Sequence, residues 1–503
     1  MTEFEGTAVS NQMELIAYAN RLGGSLPGLK AILDGPLAGL FSGVHLLPFF
    51  PPFDGADAGF DPVDHSEVDP RLGTWHDIAA IADGHEVMVD LIVNHVSAAS
   101  PPFLDWLAHG SSSDFARMFL TYDGVFPNGA TEETLMRLYR PRPGLPFSPY
   151  TLADGTKRLV WTTFTANQID IDVREPITCD YLQKVLDRLE GAGVRRVRLD
   201  AVGYALKTPG STSFMTPETF EFIGEITQWC RERELEVLVE VHSYYQQQVE
   251  IAKQVDRVYD FALPPLILHA LTAADADPLL AWMAIRPLNA VTVLDTHDGI
   301  GVIDVGADAA DRSRLGLLTP AQIDQLVETM HDNSGGTSRQ ATGSAAANVD
   351  LYQVNCTFYD ALGADDDRYL LARALQFWTP GVPQIYYVGL FAGRNDVALL
   401  ERTGVGRDIN RHYYASADIE DELQRPVVQA LVHLIRFRNT HPAFDGQFSV
   451  SGGGRLLLAA WRTSDAVAEL RADLATGTGT VRWTAGGVMC EAPLDRLGEG
   501  IGR

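Results

Sequence analysis

Three carboxylates, Asp200, Glu240 and Asp298, each stand where a short β-branched, apolar run ends: VRRVRLDAVGY, LEVLVEVHSYY and AVTVLDTHDG. Such runs read as buried parallel strands, and side chains at the ends of parallel strands converge on one mouth. Acids gathered there point to chemistry on a sugar. One carboxylate would attack the anomeric carbon, a second would protonate the leaving oxygen, and polar neighbours would grip the ring. Taken singly, an acid at a strand end is more often a helix cap, so the surrounding residues decide the reading. Arg198, two residues before Asp200, points to the same side of its strand and is predicted to hold that carboxylate ionised, as a nucleophile requires. Glu240 lies in the apolar run VLVEV, where burial is predicted to raise its pKa and keep a proton for the leaving group. His297 and Asp298 offer a donor and an acceptor to hydroxyls whose hydrogen bonds tighten as the sugar flattens toward an oxocarbenium ion. These are the parts of a retaining glycosyl transfer.

The elements that must position them read as eight strands. They are MELIAYA near Met13, VHLLPFF from Val44, HEVMVDLIV from His85, VRRVRLD from Val194, LEVLVEV from Leu235, DRVYDFA from Asp256, AVTVLD from Ala290 and VPQIYYV from Val382. Between most of them run amphipathic stretches such as TPETFEFIGEITQWCRER, Thr216 to Arg233. Strand and helix alternating in this way predict an α/β fold, a (β/α)8 TIM barrel, built from residues 1–93, 174–299 and 365–443. The rhythm breaks at 94–173, a Pro- and Gly-rich stretch (FPNGA, YRPRPGLPFSPY) that reads as an inserted subdomain. It breaks again at 300–364, where the small-residue run GGTSRQATGSAAANVD reads either as a mobile lid carrying an acceptor loop or as a plain surface loop. From 444 to 503, alternating runs with glycine turns predict a small antiparallel β domain.

Composition narrows the partners. The chain has 503 residues with 39 Lys and Arg against 66 Asp and Glu, a net charge of −27, which repels nucleic acid and anionic membranes. MTEFEGTAVS carries no secretory pattern and no apolar stretch is long enough to span a bilayer, so a cytoplasmic enzyme is expected. Cys179, Cys230, Cys356 and Cys490 show no paired spacing and indicate neither a disulfide framework nor a zinc site. Against this acidic background, Tyr139 to Ala153 holds Arg140 and Arg142 and no acid. It reads as a place for an anionic acceptor such as phosphate, or as a Pro-stiffened turn with solvated arginines.

The segments DLIVNH, VRLDAVGY, EVHSYY and DTHDG resemble the four signature regions of the α-amylase-type glycoside hydrolase superfamily. PFFPPFDGADAGFDPVDH, PNGATEE, RPRPGLPF, FMTPETF, DRVYDFALPPL, VLDTHDGIGVID, VDLYQVN and GRDINRHYY resemble, more narrowly, the sucrose phosphorylase family, over about Leu46 to Tyr414. The resemblance implies Asp200 as nucleophile, Glu240 as general acid/base and Asp298 as transition-state stabiliser. It implies Asp57, Phe60, His95, Phe164, Arg198, His297 and Arg407 around the glucosyl ring, although core packing serves equally well for Phe164. It implies Pro141, Arg142, Tyr204, His242, Asp350, Leu351, Tyr352 and Gln353 at the acceptor and phosphate site, on loops that rearrange between fructose and phosphate. The implied reactants are sucrose and phosphate, the products glucose 1-phosphate and fructose, with transfer to other acceptors also implied. Family members can pair through the inserted subdomain, which makes a homodimer an expectation. An amylase would hold calcium near Asn94, but the segment that follows lacks a cluster of oxygen ligands, so neither metal nor cofactor is expected. The alternatives are a phosphorylase of sucrose 6-phosphate or glucosylglycerol, an α-glucoside hydrolase, and a non-catalytic transporter partner, the last disfavoured because all three acids are kept.

Overall fold

Continuous apolar runs fold as strands buried on both faces, and all eight strands read from the sequence are present in the computed structural model. It describes residues 12–55, 57–141, 144–309, 311–342 and 353–501. The strands are Glu14–Ala17, Gly43–Leu46, Glu86–Ile92, Arg196–Asp200, Glu236–Val239, Arg257–Asp260, Ala290–Thr292 and Val382–Tyr386. All pair in parallel, and the first pairs with both the second and the eighth, so the sheet closes into a barrel. The expected TIM barrel is therefore the fold, with additional small sheets and a C-terminal antiparallel sheet.

The fourth strand shows how this barrel carries charge inward. Arg196 reaches Glu14 of the first strand at 2.9 Å, a contact that only the barrel interior allows, and also pairs with Glu236. One layer higher, Arg198 binds Asp90 of the third strand, whose other oxygen lies 3.0 Å from His45 Nε2. Asp200, two residues on, forms the top layer. Register brings these groups side by side: Asp90 stands opposite Arg198, and Ile92 opposite Asp200. Val197 and Leu199, which alternate with them, are buried in the hydrophobic core. Buried charges hold only when paired, so each arginine layer is matched by carboxylates from neighbouring strands.

Between the third and fourth barrel strands, His95–Ser97 pairs antiparallel with Gln168–Asp170, and a hairpin joins Phe147–Thr151 to Lys157–Trp161. Leu120, Val125, Phe126, Leu138 and Trp161 form a small core of their own there. After the seventh strand, Ile300–Gly301 pairs with Gln353–Val354. The stretch between them is more ordered than its composition suggests, holding helices Pro320–Asn333 and Thr337–Ala341. The remainder of the expected mobile loop, 343–352, lies outside the described residues. The C-terminal sheet has five antiparallel strands in sequence order from Gln447–Gly453 to Val488–Pro493. It docks on helix Asp366–Trp378 through reciprocal indole contacts: Trp461 Nε1 donates to Trp378 O at 2.7 Å and Trp378 Nε1 to Ala468 O at 3.2 Å. Among the described residues, no helix is long and apolar enough to cross a membrane.

Candidate active site

Asp200 is the last residue of the fourth strand and Glu240 follows the last residue of the fifth, so neighbouring strands raise both carboxylates to the same rim. Arg198 clasps both. Its Nη1 donates to Asp200 Oδ1 at 3.0 Å, and its Nη2 lies 3.4 Å from Glu240 Oε1. Immediately after Asp200 the backbone enters the left-handed region at Ala201, φ +54°, a conformation costing a non-glycine residue about 1–2 kcal/mol. The turn directs the Ala201 N–H at Glu240 Oε2, at 3.4 Å. Asp298 is less a strand-end residue than the sequence implied, since its strand closes at Thr292 and the acid sits on the loop beyond. Cations from a distant segment hold it, with Arg407 Nη1 at 2.8 Å and Arg411 Nη2 at 4.0 Å. Arg407 also lies 3.7 Å from Asp57, and Arg411 Nε donates to the His297 carbonyl at 2.9 Å.

Burial and charge give these acids different characters. Asp200 is raised well above the ordinary carboxylate range, first by burial and then by the nearby carboxylates of Glu240, Asp90 and Asp298. This corrects the expectation that Arg198 alone would keep it ionised. The arginine pulls in the predicted direction, but Asp90 and Glu240 draw on the same guanidinium, so its effect is shared. Glu240 likewise faces charge rather than the apolar surroundings read from VLVEV, with Arg198 on one side and His242 Nε2 at 3.9 Å on another. Asp298 is held far below the usual range: burial opposes its ionisation, but the guanidinium groups of Arg407 and Arg411 outweigh it. His297 drops to about 3 because burial disfavours its charge, so its imidazole is neutral. Burial also lowers His95, while at His242 the same penalty is overcome by Asp304, which raises it.

The walls complete a recess above the three acids. Phe60 stacks on His297 with ring centroids 4.7 Å apart and planes 9° apart, and Phe164 meets His95 edge-on at 5.4 Å. Phe164 is half-buried and lines the pocket, which favours a wall over simple core packing. Gln168, which sequence reading missed, ties this wall together: its Nε2 lies 3.1 Å from His95 Nε2, 3.3 Å from Phe60 O and 3.4 Å from Asp57 Oδ2. On the outer side Tyr204, His242 and Gln353 line the same pocket. Phe214, also missed although it lies within the motif FMTPETF, stacks on Tyr139 at 4.4 Å and packs against Tyr204 at 4.7 Å. Of the other residues expected at an acceptor site, Pro141 is buried but does not line the pocket, while Arg142, Asp350, Leu351 and Tyr352 lie outside the described residues. Arg140, half of the cationic feature read from the sequence, donates to Gly144 O at 2.8 Å in its own loop.

Two places could tempt a cation. Glu240, His242 and Asp298 bring ligand-type atoms within 4.8 Å of one another, but the two carboxylates already have the guanidinium groups of Arg198 and Arg407 as partners. Beside Asn94, the fully buried ammonium of Lys207 lies 2.7 Å from Asp170 Oδ2 and 3.0 Å from Asn94 Oδ1, and it also contacts the Tyr204 carbonyl. A lysine ammonium thus occupies the oxygen-lined position beside Asn94.

Comparison with known proteins gives the family. Residues 19–277 match the α-amylase catalytic domain. The chain is 56% identical over 476 residues to a sucrose phosphorylase of Agrobacterium vitis, covering 94% of this chain and 97% of that protein. It is 56% identical over 442 residues to a sucrose phosphorylase of Bifidobacterium adolescentis, with 88% of each covered. Among solved structures, the sucrose 6F-phosphate phosphorylase of Thermoanaerobacter thermosaccharolyticum superposes with a TM-score of 0.89 at 36% identity, covering 97% of this chain and 98% of that one.

Proposed function

The chain belongs to the α-amylase family, in the branch of its sucrose phosphorylases, and from that premise we propose that it transfers the glucosyl group of sucrose to inorganic phosphate. The observation that carries the reading is the sharing of Arg198 between Asp200 and Glu240 at 3.0 and 3.4 Å, which sets a nucleophile beside an acid, as a retaining transfer requires. The glucosyl ring packs against Phe60 and Phe164, with its hydroxyls toward Asp57, His95, His297 and Arg407. The buried, neutral His297 and the firmly ionised Asp298 present fixed hydrogen-bonding groups that need no reorganisation as positive charge grows at the anomeric centre.

Glu240 gives its proton to the glycosidic oxygen, the bond from the anomeric carbon to that oxygen breaks, and Asp200 closes a β-glucosyl ester as fructose leaves. Asp200 attacks as the carboxylate, so in the reactive state the proton that the pair carries resides on Glu240. Phosphate then attacks the anomeric carbon through a charged oxygen, and the ester electron pair returns to Asp200. Hydrogen phosphate passes its one proton to Glu240, restoring the acid. Two inversions leave α-D-glucose 1-phosphate. Phosphate is already anionic, whereas water needs full base assistance, so hydrolysis is the minor path and other good acceptors compete with it.

Incubating sucrose with and without phosphate and identifying the sugars tests this directly. Glucose 1-phosphate and fructose are expected with phosphate present, and free glucose as the sole glucosyl product would refute it. Sucrose 6-phosphate and glucosylglycerol supplied as donors in the same assay separate the neighbouring specificities. Normal phosphorolysis by Asp200→Asn would remove the assignment of the nucleophile. The proposal includes a cytoplasmic location and pairing of two copies through 94–173, which cell fractionation and sedimentation measure.

A further inference from the structure

His242 lines the outer side of the pocket, and its ring is held by Asp304 and Phe261. Its Nδ1 lies 3.0 Å from Oδ2 of Asp304, a carboxylate with no solvent exposure. The other oxygen of Asp304 accepts from the Ser243 N–H at 3.1 Å and from Gln248 Nε2 at 2.9 Å, so the carboxylate cannot swing away. The imidazole face lies on Phe261, with centroids 3.9 Å and planes 16° apart. Gly301 completes the clamp. A Cβ there would fall 2.6 Å from Asp304 Oδ2 and 3.1 Å from His242 Nδ1, so any side chain at that position would displace the couple. What remains of the ring for the pocket is Nε2, 3.9 Å from Glu240 Oε1 and 3.5 Å from Gln353 Nε2.

We propose that Asp304 is a positioning residue for the acceptor step, holding His242 so that an Nε2–H is presented to incoming phosphate in preference to water. The inference rests on the reading that phosphate is the acceptor. A carboxylate on Nδ1 fixes which nitrogen donates to it and favours the imidazolium, which then donates through the other nitrogen as well. The charges that act most strongly on His242 are those of Asp304, Glu240 and Asp298, which hold the ring above the ordinary imidazole range against the cost of burial; the Arg198 guanidinium lies beyond, 3.4 Å from the Glu240 oxygen that faces the ring. The need arises from the mechanism itself. Once Glu240 has protonated fructose it is negative, and it would repel an anion arriving next to it. An imidazolium between the two offsets that repulsion, while neutral water gains nothing from it.

The measurement is the ratio of glucose 1-phosphate to glucose formed from sucrose at fixed phosphate. Asp304→Asn removes the charge, and because the Ser243 N–H and Gln248 Nε2 claim the amide oxygen, its NH2 faces Nδ1 and no longer fixes Nδ1–H; the ratio is expected to fall about tenfold with KM for phosphate rising in proportion. His242→Gln should shift the ratio to a similar extent, and the double variant should add little, because the two side chains act as one unit. Equal loss of both products in Asp304→Asn would assign the residue a merely structural role and overturn the proposal, as would additive losses in the double variant. If Asp304→Asn does not fold, Gly301→Ala carries the same test by pushing the couple apart. Absence of glucose 1-phosphate from the unmodified chain would instead refute the proposed function, so the two failures are told apart.

Discussion

Replacing Lys207 by Met tests whether a buried ammonium holds the wall of the site in place. The substitution keeps the volume and flexible stem, so the cavity penalty of a truncation does not enter. What is lost is the charge between Asp170 and Asn94, at 2.7 and 3.0 Å. Removing one partner of a buried pair costs about 3–5 kcal/mol, since the other charge is left uncompensated. Asp170 would keep two donors from Thr163, the backbone N–H at 2.9 Å and the hydroxyl at 2.5 Å, which places the expected cost near the lower end, about 3 kcal/mol. For 503 residues the unfolding entropy is about 1 kcal/mol per kelvin, so the melting temperature should fall by about 3 °C in calorimetry. Adding Asp170→Asn should recover most of that loss, because both charges are then gone. A single variant melting within a degree of the parent, or a double variant no better than the single, would refute the reasoning.

Glu240→Gln should lose turnover of sucrose but retain release of fluoride from α-glucosyl fluoride, which needs no proton; equal loss on both donors would exclude the acid role. Gly203→Ala places a Cβ 2.8 Å from Phe214 Cε2 and 3.2 Å from Met215 Sδ, so it should displace the aromatic wall and raise KM for fructose in the synthetic direction. An unchanged KM would remove Phe214 from the acceptor site. Because Asp200 must be ionised to attack and its pKa is raised, kcat/KM should fall with decreasing pH along a limb lying above the ordinary aspartate value of about 4. Asp298→Asn removes one of the charges that raises Asp200 and should move that limb to lower pH; a limb at or below about 4 in the parent chain, or one that Asp298→Asn leaves in place, would contradict this electrostatic account.

The barrel was legible because parallel strands buried on both faces leave unbroken apolar runs, and Asp200 and Glu240 were legible because they stand at or next to the strand ends. Asp298 could be found by motif but not by position, since loops and the distant Arg407 and Arg411 place it. Gln168 and Lys207 gave no local signal, and Phe214 and Asp304, though inside the motifs FMTPETF and VLDTHDGIGVID, carried nothing that marked a role. Each acquires its role from contacts such as Lys207 with Asn94, 113 positions away, or Asp304 with His242, 62 positions away.

Charge shows the same limit. Counting Arg140 and Arg142 suggested where an anion would be welcomed, yet the Arg140 guanidinium is engaged within its own loop. The described residues place His242 on the outer side of the pocket with Asp304 favouring its charged form, and a charge that depends on neighbours cannot be counted in a sequence. The same holds for the acids. Asp200 and Asp298 are chemically identical side chains on one pocket wall, but Asp298 has Arg407 at 2.8 Å while Asp200 shares Arg198 with Asp90 and Glu240. One is therefore fixed as an anion and the other is poised to exchange a proton. A double displacement needs this division: a permanent negative charge to face the oxocarbenium ion, and a carboxylate whose partner can hold the proton until the leaving oxygen takes it.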